Sequence, residues 1–348
     1  MINLYGVSLE KLEEKLVNEE GQKKFRATQL FKWIYGKKVQ SFDEMSDVSL
    51  SFREILKEKY TLEKDKIFQM QKSNDGTIKL LLELADGNKV ETVLMRYNYG
   101  NVVCVSSQVG CDQGCAFCAS GLLKKKRNLE VHELVSQVLV INDLLFTEDE
   151  NSRVTHVVVM GTGEPFDNYD NVLDFIKILN HPFGLAIGAR HITVSTCGLI
   201  EGIKRYANEG IQINLAISLH APSNELRNKL MPINFRYPLE EVIEACRYYE
   251  KVAGRRVTFE YIMLKDFNDT KECAYLLANL IKGMLSYVNL IPYNPVNELK
   301  YKRSDYQTCK EFLNFLTQRG VTATIRREFG SDIDAACGQL RAKNESKI

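Results

Sequence analysis

Residues 104–121 read CVSSQVGCDQGCAFCASG and place Cys111, Cys115 and Cys118 within eight positions. The segment begins in an apolar β-rich run, VVCVSS, so the three cysteines are expected in a loop just after a strand. Thiolates are soft ligands that suit iron–sulfur clusters or zinc. Zinc sites usually combine two Cys-x-x-Cys or Cys/His units, and no second unit is present here. The spacing therefore favours a cubane cluster with three protein ligands, which leaves its fourth iron open to a small molecule.

The region that follows alternates between strand-like and helical patterns, which predicts an α/β fold. Near-continuous Val/Ile runs between helices are typical of parallel strands covered by helices. About 230 residues, 101–330, are available, slightly fewer than the ~250 of an eight-unit barrel. We therefore expect a partial (β/α)6 barrel, with the seventh run in an extension. The runs are VVCVSS, THVVVMG, HITVST, INLAISL, VTFEYIML, YVNLIPY and VTATIRR.

Three further regions flank the predicted barrel. Residues 1–66 carry apolar residues at every third or fourth position and predict a helical accessory domain. Residues 67–100 contain short alternating runs separated by turn signals at 74–76 and 86–88, which predict a small antiparallel β meander. Residues 331–348 form a short C-terminal segment.

Polar residues gather where the predicted strands end. In a parallel β/α array the carboxyl ends of the strands form one face, and ligands bind there. The runs lead into SSQVGC, GTGEP, STCG, SLH and PYNP. The sequence thus predicts one open mouth that collects the three clustered cysteines together with Glu164, Ser195, His220 and Asn294.

Bulk composition restricts location and partners. Lys and Arg (46) nearly balance Asp and Glu (45), so net charge does not predict a nucleic-acid partner and only local patches could bind one. The first sixteen residues lack the pattern of a signal peptide. No run approaches the ~18 apolar residues of a membrane span. A cytoplasmic protein without a membrane partner is expected.

The cysteine motif, with Phe117 before its last cysteine, resembles the radical S-adenosylmethionine superfamily. A longer set of ordered motifs resembles the bacterial adenine carbon-2 RNA methyltransferases, the RlmN family, over nearly the whole chain. The family methylates an adenosine in 23S rRNA and one beside the anticodon in some tRNAs. The resemblance implies a 4Fe-4S cluster and S-adenosylmethionine as cofactors. The motifs are FRATQLFKWIY, SFDEM, KVETV, CVSSQVGC, MGTGEP, AISLHAP, MPIN, NLIPYNP and DIDAACGQL.

The resemblance also implies a set of cofactor-binding residues. Cys111, Cys115 and Cys118 would hold the cluster. Gly163 and Glu164 match the site for the amino group of S-adenosylmethionine, where a carboxylate would face an ammonium. The remaining matched contacts to S-adenosylmethionine are Ser195, Ser218, Leu219, His220 and Asn294. Cys197 departs from the residue expected in the STCG loop.

Three catalytic roles follow from the resemblance. Cys337 would accept a methyl group from S-adenosylmethionine. Cys104 would attack the Cys337 sulfur to release the RNA, which leaves a transient disulfide. Glu91 would accept the proton from the target carbon, although its pattern alone favours an outward-facing strand carboxylate. The alternatives for Cys337 are an inert buried thiol or a fourth cluster ligand.

The expected partners are 23S rRNA, tRNA and a flavodoxin- or ferredoxin-type reductant, and the chain is expected to be a monomer. Lys124–Arg127 follow the cysteine loop and could contact phosphates, or be an ordinary solvated face. Phe31, Trp33 and Tyr35 could bind RNA, or form the apolar stripe of a helix.

Two other functions remain open at this stage. The carbon-8 methyltransferases of the same rRNA adenosine (the Cfr type) share many of these motifs, although GTGEPFDN resembles the carbon-2 group more closely. A non-catalytic iron–sulfur redox protein would need neither the GTGEP site nor an adenine base.

Overall fold

The computed structural model describes residues 1–340 of the 348-residue chain. The predicted C-terminal segment therefore lies partly outside the described residues, at 341–348. The strands are β1 Ile2–Asn3, β2 Tyr60–Thr61, β3 Lys66–Lys72, β4 Ile78–Glu83, β5 Lys89–Tyr97, β6 Gly100–Val105, β7 Gln108–Val109, β8 Arg127–Asn128, β9 Val154–Val159, β10 Ile192–Thr196, β11 Asn214–Ser218, β12 Val257–Met263, β13 Ser286–Pro292 and β14 Ala323–Ile325.

The helices lie in the N-terminal module and between the parallel strands. They are α1 Leu9–Asn18, α2 Phe25–Phe31, α3 Leu50–Lys59, α4 Val131–Glu148, α5 Tyr169–Asn180, α6 Ile200–Ala207, α7 Asn224–Leu230, α8 Leu239–Ala253, α9 Lys271–Leu280 and α10 Tyr306–Gln318. Lys32–Gly36 continue α2 as a π-helical turn. None of the helices in residues 1–340 is both long enough and apolar enough to cross a membrane.

The predicted partial barrel is confirmed. β6 and β9 to β13 pair in parallel in chain order, and at least one helix follows each of them. Their Val, Ile and Leu side chains are buried because helices cover the outer face while the opposite face encloses the barrel interior. The seventh run differs from the expectation of an extension. It joins the sheet as β14 and pairs in parallel with Val288, Asn289 and Leu290 of β13, because α10 returns the chain to the open edge.

The predicted meander continues the barrel sheet. β3, β4 and β5 are antiparallel neighbours, and β5 pairs with β6, so ten strands form one sheet. Val93 on β5 lies directly opposite Cys104 on β6. Side chains alternate between faces along a strand, so Glu91, two residues before Val93, lies on the same face as Cys104. The meander thus continues, beyond β6, the side of the sheet that faces the barrel interior.

The N-terminal module shares one hydrophobic core with the barrel. Phe31, Trp33 and Tyr35 are all buried. The Phe31 ring meets the His181 ring edge-on at 5.3 Å between centroids, so the last residue of α2 packs against the residue after α5. The apolar-stripe interpretation of these aromatic residues is therefore confirmed.

Arg127 links the meander to the barrel. Its guanidinium donates to Asp86 Oδ2 at 2.7 Å, in the turn between β4 and β5, and to both carboxylate oxygens of Glu133 on α4, at 2.7 and 2.8 Å. The Glu133 side chain is only 5% exposed, while that of Arg127 is 30% exposed. Because the guanidinium is engaged on both sides, Arg127 is not available to bind a phosphate.

We expect Arg127→Gln to lower the free energy of unfolding by about 2 kcal/mol, because it leaves the buried Glu133 carboxylate without its cation. The loss should be smaller than the ~3–5 kcal/mol of a fully buried pair, since Arg127 is partly hydrated. Urea unfolding followed by circular dichroism measures it. Lys229→Gln removes the exposed pair with Glu225 and serves as control, with an expected loss below about 1 kcal/mol. Equal losses in the two variants would contradict the structural role of Arg127.

Candidate active site at the mouth of the barrel

The three clustered cysteines line one cavity, which we call the central cavity. Its empty volume is about 870 Å³, and it is also lined by Glu164, Ser195, Ser218 and His220. Backbone hydrogen bonds shape the cysteine loop: Cys118 N–H donates to Cys115 O at 3.1 Å, and Cys111 N–H donates to Leu123 O at 3.0 Å. The predicted gathering of these residues at the strand ends is thus present in the structure.

The electrostatics of the three thiols fit a metal cluster. Burial raises the pKa of Cys111 to about 11. Burial first, and then Cys118 and Cys111, raise the pKa of Cys115 well above its usual value. Three adjacent thiolates are unfavourable unless a cation compensates them, and cluster irons supply that charge. Within residues 1–340 no three His, Cys, Asp or Glu side chains converge on a site for a single metal ion.

Glu164 is a buried carboxylate at the end of the GTGEP motif. Its Oε1 accepts from Phe166 N–H at 3.0 Å, and its Oε2 accepts from Cys197 N–H at 2.8 Å. Burial raises its pKa. A carboxylate offers about four acceptor positions, so positions remain for an ammonium group of a ligand. The geometry therefore fits the amino group of S-adenosylmethionine.

Gly163 is required by the backbone beside Glu164. Its φ is +110°, and a Cβ at this position would lie 2.6 Å from Gln108 Cβ. Glu164 N–H donates to Gln108 Oε1 at 2.9 Å. A larger residue than glycine would push this strand end away from Gln108 and would move the Glu164 carboxylate.

Ser195, Ser218 and His220 come from two adjacent strand ends. The hydroxyls of Ser195 on β10 and Ser218 on β11 lie 3.4 Å apart. His220 Nδ1 accepts from Ile262 N–H at 3.1 Å, and burial together with Arg227 lowers the pKa of His220 to about 3. The imidazole is therefore neutral at physiological pH and carries its hydrogen on Nε2.

Cys337 reaches the central cavity because the C-terminal segment binds the cysteine loop. Ala119 N–H donates to Gly338 O at 2.7 Å. Ser120 Oγ donates to Leu340 O at 2.6 Å, across 220 positions of sequence. Cys337 also lines a second cavity of about 490 Å³, the C-terminal cavity, which it shares with Cys104 and Asn294.

Cys104 is buried on β6 and faces the C-terminal cavity. Burial first, and then Cys337, raise the pKa of Cys104 to about 12. Both thiols are free in the structure. The thiol of Cys104 is thus protonated at neutral pH, and the predicted disulfide with Cys337 remains a prediction.

Glu91 is buried rather than outward-facing, so the interpretation from its strand pattern is wrong. It is 5% exposed. Its Oε1 lies 3.2 Å from Lys79 Nζ, and that ammonium donates to Asp334 O at 3.2 Å. Glu91 lines a third cavity of about 940 Å³, the lysine cavity, with Lys89, Lys124 and Lys126.

Two residues matched by resemblance lie outside the central cavity. The Leu219 side chain is fully buried in the main core, and its N–H donates to Glu260 O at 3.1 Å. Asn294 lines the C-terminal cavity, and its Nδ2 lies 3.5 Å from Cys337 O. Among the matched contacts, the central cavity brings together Gly163, Glu164, Ser195, Ser218 and His220.

Sequence reasoning missed two charged residues of the central cavity, Glu260 and Arg326. Glu260 Oε1 accepts from Asn289 Nδ2 at 3.3 Å, while its buried Oε2 has no hydrogen-bond partner among the described residues. Cys337 first, and then Glu260, raise the pKa of Arg326. The sequence did contain a sign of both residues: Glu260 interrupts the apolar run VTFEYIML, and Arg326 follows the β-rich part of VTATIRR.

Comparisons with known proteins identify the family. The radical SAM superfamily matches residues 105–273, and the ribosomal RNA large subunit methyltransferase N-terminal domain matches residues 2–62. A Spiroplasma citri protein named "probable dual-specificity RNA methyltransferase RlmN" is 55% identical over 100% of this chain and 99% of its own length. The chain belongs to the RlmN family.

Further relatives agree with this assignment. An Acholeplasma laidlawii protein of the same name is 52% identical over 98% of this chain and 99% of its own. The crystal structure of a radical SAM methyltransferase from Sphaerobacter thermophilus is 42% identical. It has a TM-score of 0.92 and covers 99% of this chain and 100% of that one.

Membership of the RlmN family confirms several expectations from the sequence. The protein is a radical S-adenosylmethionine enzyme, and its cofactors are a 4Fe-4S cluster and S-adenosylmethionine. The described residues fit both groups: three neighbouring, partly buried thiols line the central cavity, and Glu164 offers a buried carboxylate to a ligand cation. When bound, the cluster and S-adenosylmethionine supply one-electron chemistry that amino-acid side chains lack.

We expect Cys104 to resist alkylation in the folded protein. With a pKa of about 12, its thiolate fraction at pH 8 is about 10³-fold below that of an unfolded cysteine of pKa about 8.5. Peptide mass spectrometry after iodoacetamide treatment at pH 8, with and without urea, measures the difference. Equal rates in the two conditions would show that Cys104 is neither buried nor protonated as described.

Proposed function

We propose that this protein methylates carbon 2 of an adenosine in 23S rRNA and in some tRNAs, with Cys337 as an intermediate methyl carrier. The observation that carries the proposal is the position of Cys337. Its thiol lines the central cavity beside Cys111, Cys115 and Cys118, in a chain of the RlmN family. The relatives' printed name, dual-specificity RNA methyltransferase, supports RNA as the substrate class.

The first step needs only S-adenosylmethionine and the Cys337 thiol. Glu164 binds the amino group of S-adenosylmethionine, while Ser195, Ser218 and the Nε2–H of His220 offer polar contacts at the neighbouring strand ends. The Cys337 thiolate, having lost its proton, then displaces the methyl group in an ordinary substitution: a bond forms between the Cys337 sulfur and the methyl carbon, the sulfonium–methyl bond breaks, and S-adenosylhomocysteine leaves. Arg326 lines the same cavity and stabilises a negative charge at this sulfur.

Glu91 acts later, as the acceptor of the proton that the target carbon loses. Its burial places the carboxylate at the inner face of the sheet, on the same side as Cys104. The ion pair with Lys79 fixes its orientation at the border of the lysine cavity. General bases of this kind require a positioned and water-poor carboxylate, and an outward-facing residue would provide neither.

Cys104 releases the methylated RNA. Once the methyl carbon on Cys337 is bonded to the target carbon, the Cys104 thiolate attacks the Cys337 sulfur, an S–S bond forms, and the bond between that sulfur and the carbon breaks. The electron pair stays with the carbon, which takes up a proton. The two residues line the same C-terminal cavity, which supports an attack of one thiol on the sulfur of the other. Attack requires the thiolate, and Arg326, which also lines this cavity, favours that form of Cys104 against the effect of burial. The product is a disulfide that an external thiol reduces before the next turnover.

The partners and location follow from this reaction. The proposed substrates are 23S rRNA and tRNA, and a flavodoxin- or ferredoxin-type reductant supplies electrons to the cluster. We propose that the protein acts as a monomer in the cytoplasm, where both RNAs are found.

The proposal is tested by anaerobic reconstitution with iron and sulfide, followed by incubation with 23S rRNA and S-adenosylmethionine that carries a trideuterated methyl group. We expect 2-methyladenosine that has lost one deuterium, detected by mass spectrometry of nucleosides. Formation of 8-methyladenosine would instead assign the Cfr-type reaction. An intact cluster with no deoxyadenosine and no methylated base would favour the non-catalytic redox protein.

We expect Cys337→Ala to abolish RNA methylation, because the methyl group has no sulfur to occupy, while the absorbance of the cluster stays unchanged. Activity with labelled S-adenosylmethionine and the visible spectrum measure the two effects. Cys246→Ala changes a buried thiol on α8, outside the site, and serves as control. RNA methylation that persists in Cys337→Ala would remove the methyl-carrier role.

We expect Glu91→Gln to leave Cys337 fully methylated but to lower RNA product by 100-fold or more, within the ~10²–10⁴-fold contribution of a general base. Intact-protein mass spectrometry measures the first effect and nucleoside analysis the second. Glu83→Gln, on the neighbouring strand β4, is the matched control. Normal product formation by Glu91→Gln would limit this residue to a structural role with Lys79.

A further inference from the structure

The meander carries exposed apolar residues that the core does not explain. Phe68 is 53% exposed and Met70 is 38% exposed, both on β3 at the edge of the ten-stranded sheet. Most other large apolar side chains of this sheet are buried. An exposed aromatic residue beside polar groups is a recurrent feature of interaction sites.

A β-bulge turns Phe68 towards the active-site face. The register between β3 and β4 shifts between Ile67 and Gln69, so Phe68 is the extra residue. Lys89 Nζ lies 3.2 Å from the centroid of the Phe68 ring. Lys89 also lines the lysine cavity with Glu91, and the two lie on the same face of β5. The Phe68 ring therefore lies at the rim of the cavity that holds the proposed base.

The same rim carries positive charge. Lys124 and Lys126, in the segment after the cysteine loop, are exposed and line the lysine cavity, and Lys126 Nζ donates to Asn88 Oδ1 in the meander turn at 2.8 Å. The nearest acidic turn residue, Asp86, is already engaged by Arg127. The cavity entrance thus combines one exposed aromatic ring with three lysines, which complements a nucleic-acid strand.

We propose that Phe68 stacks on a base adjacent to the target adenosine, while Lys89, Lys124 and Lys126 bind the neighbouring phosphates. This inference rests on the proposed function and names the surface by which its RNA substrate is held. Lys89 Nζ lies over one face of the ring, and Phe68 remains 53% exposed, so the proposal places the base on the opposite face. Stacking tolerates any base, so a single platform can serve two RNAs of different sequence.

The position of the Phe68 ring outside the cavity also suits a reaction on a base that has left its stack. An enzyme that modifies a base must take it out of its stack, and an aromatic ring at the rim can replace the lost stacking partner of the next nucleotide. Pairing of a second chain along the β3 edge is disfavoured by the bulge and by Lys66 and Lys72 at the strand ends. The face of the strand is therefore the favoured contact surface.

The test compares Phe68→Ala with Met70→Ala in the cluster-loaded full chain. Met70 lies opposite Leu80, a residue of the main core, and thus on the other face of the sheet. For Phe68→Ala we expect an increase of about fivefold or more in the KM for 23S rRNA, with Cys337 methylation unchanged. Phe68→Trp should restore the KM, and Met70→Ala should resemble the wild type.

The role of Lys124 and Lys126 is tested by the salt dependence of the affinity for 23S rRNA. Replacing Lys124 and Lys126 together by Gln should lower the slope of log affinity against log salt for 23S rRNA by roughly 1 to 2, because two phosphate contacts are lost. An unchanged slope in the double lysine variant, or an unchanged KM in Phe68→Ala, would overturn the proposal that this surface binds RNA. A dimer in sedimentation experiments that Phe68→Ala dissociates would likewise overturn it. Failure of the proposed function is distinct, because the wild type itself would then not methylate RNA.

Discussion

The active site depends on the hydrogen bonds by which the cysteine loop binds the C-terminal segment. The amide of Ala119 and the hydroxyl of Ser120 donate to the carbonyls of Gly338 and Leu340. Buried backbone carbonyls need such partners, so this pairing fixes the segment across the barrel mouth. The consequence is that Cys337 is placed by the same loop that carries Cys111, Cys115 and Cys118. The site is therefore complete only when the cysteine loop and the C-terminal segment are bound to each other.

The site itself contains charges that the protein does not fully balance. Glu164 is buried with only neutral hydrogen-bond donors around it, and one carboxylate oxygen of Glu260 has no hydrogen-bond partner among the described residues. Such groups are costly to bury, and a bound ligand with cationic and hydroxyl groups offsets that cost. Arg326 provides the opposite charge beside Cys337. Ligand recognition and thiol chemistry thus use neighbouring but separate charges of one barrel mouth.

Because the sheet is continuous, Glu91 and Cys104, the residues proposed for proton removal and RNA release, lie on one side of it. Because the meander extends the barrel through β5 and β6, Glu91 and Cys104 lie on one face although their strands run in opposite directions. Cys337 lines both the central and the C-terminal cavities. In the proposed reaction it would therefore receive the methyl group in the central cavity and meet Cys104 in the C-terminal cavity. The sheet thus aligns three cavities without requiring separate domains to move.

The six β/α units, the cysteine loop and the polar strand ends with Glu164 and His220 can be predicted from the amino-acid sequence alone, because they follow from local periodicity and spacing. Three other features become visible only in the folded chain: Glu91 is buried against Lys79, Arg326 and Glu260 line the central cavity, and β14 extends the sheet. Each of these depends on a partner distant in the chain: Lys79 binds Asp334 O, and β14 needs the open edge of β13. Alternation predicts which residues share a face, but burial depends on what packs against that face.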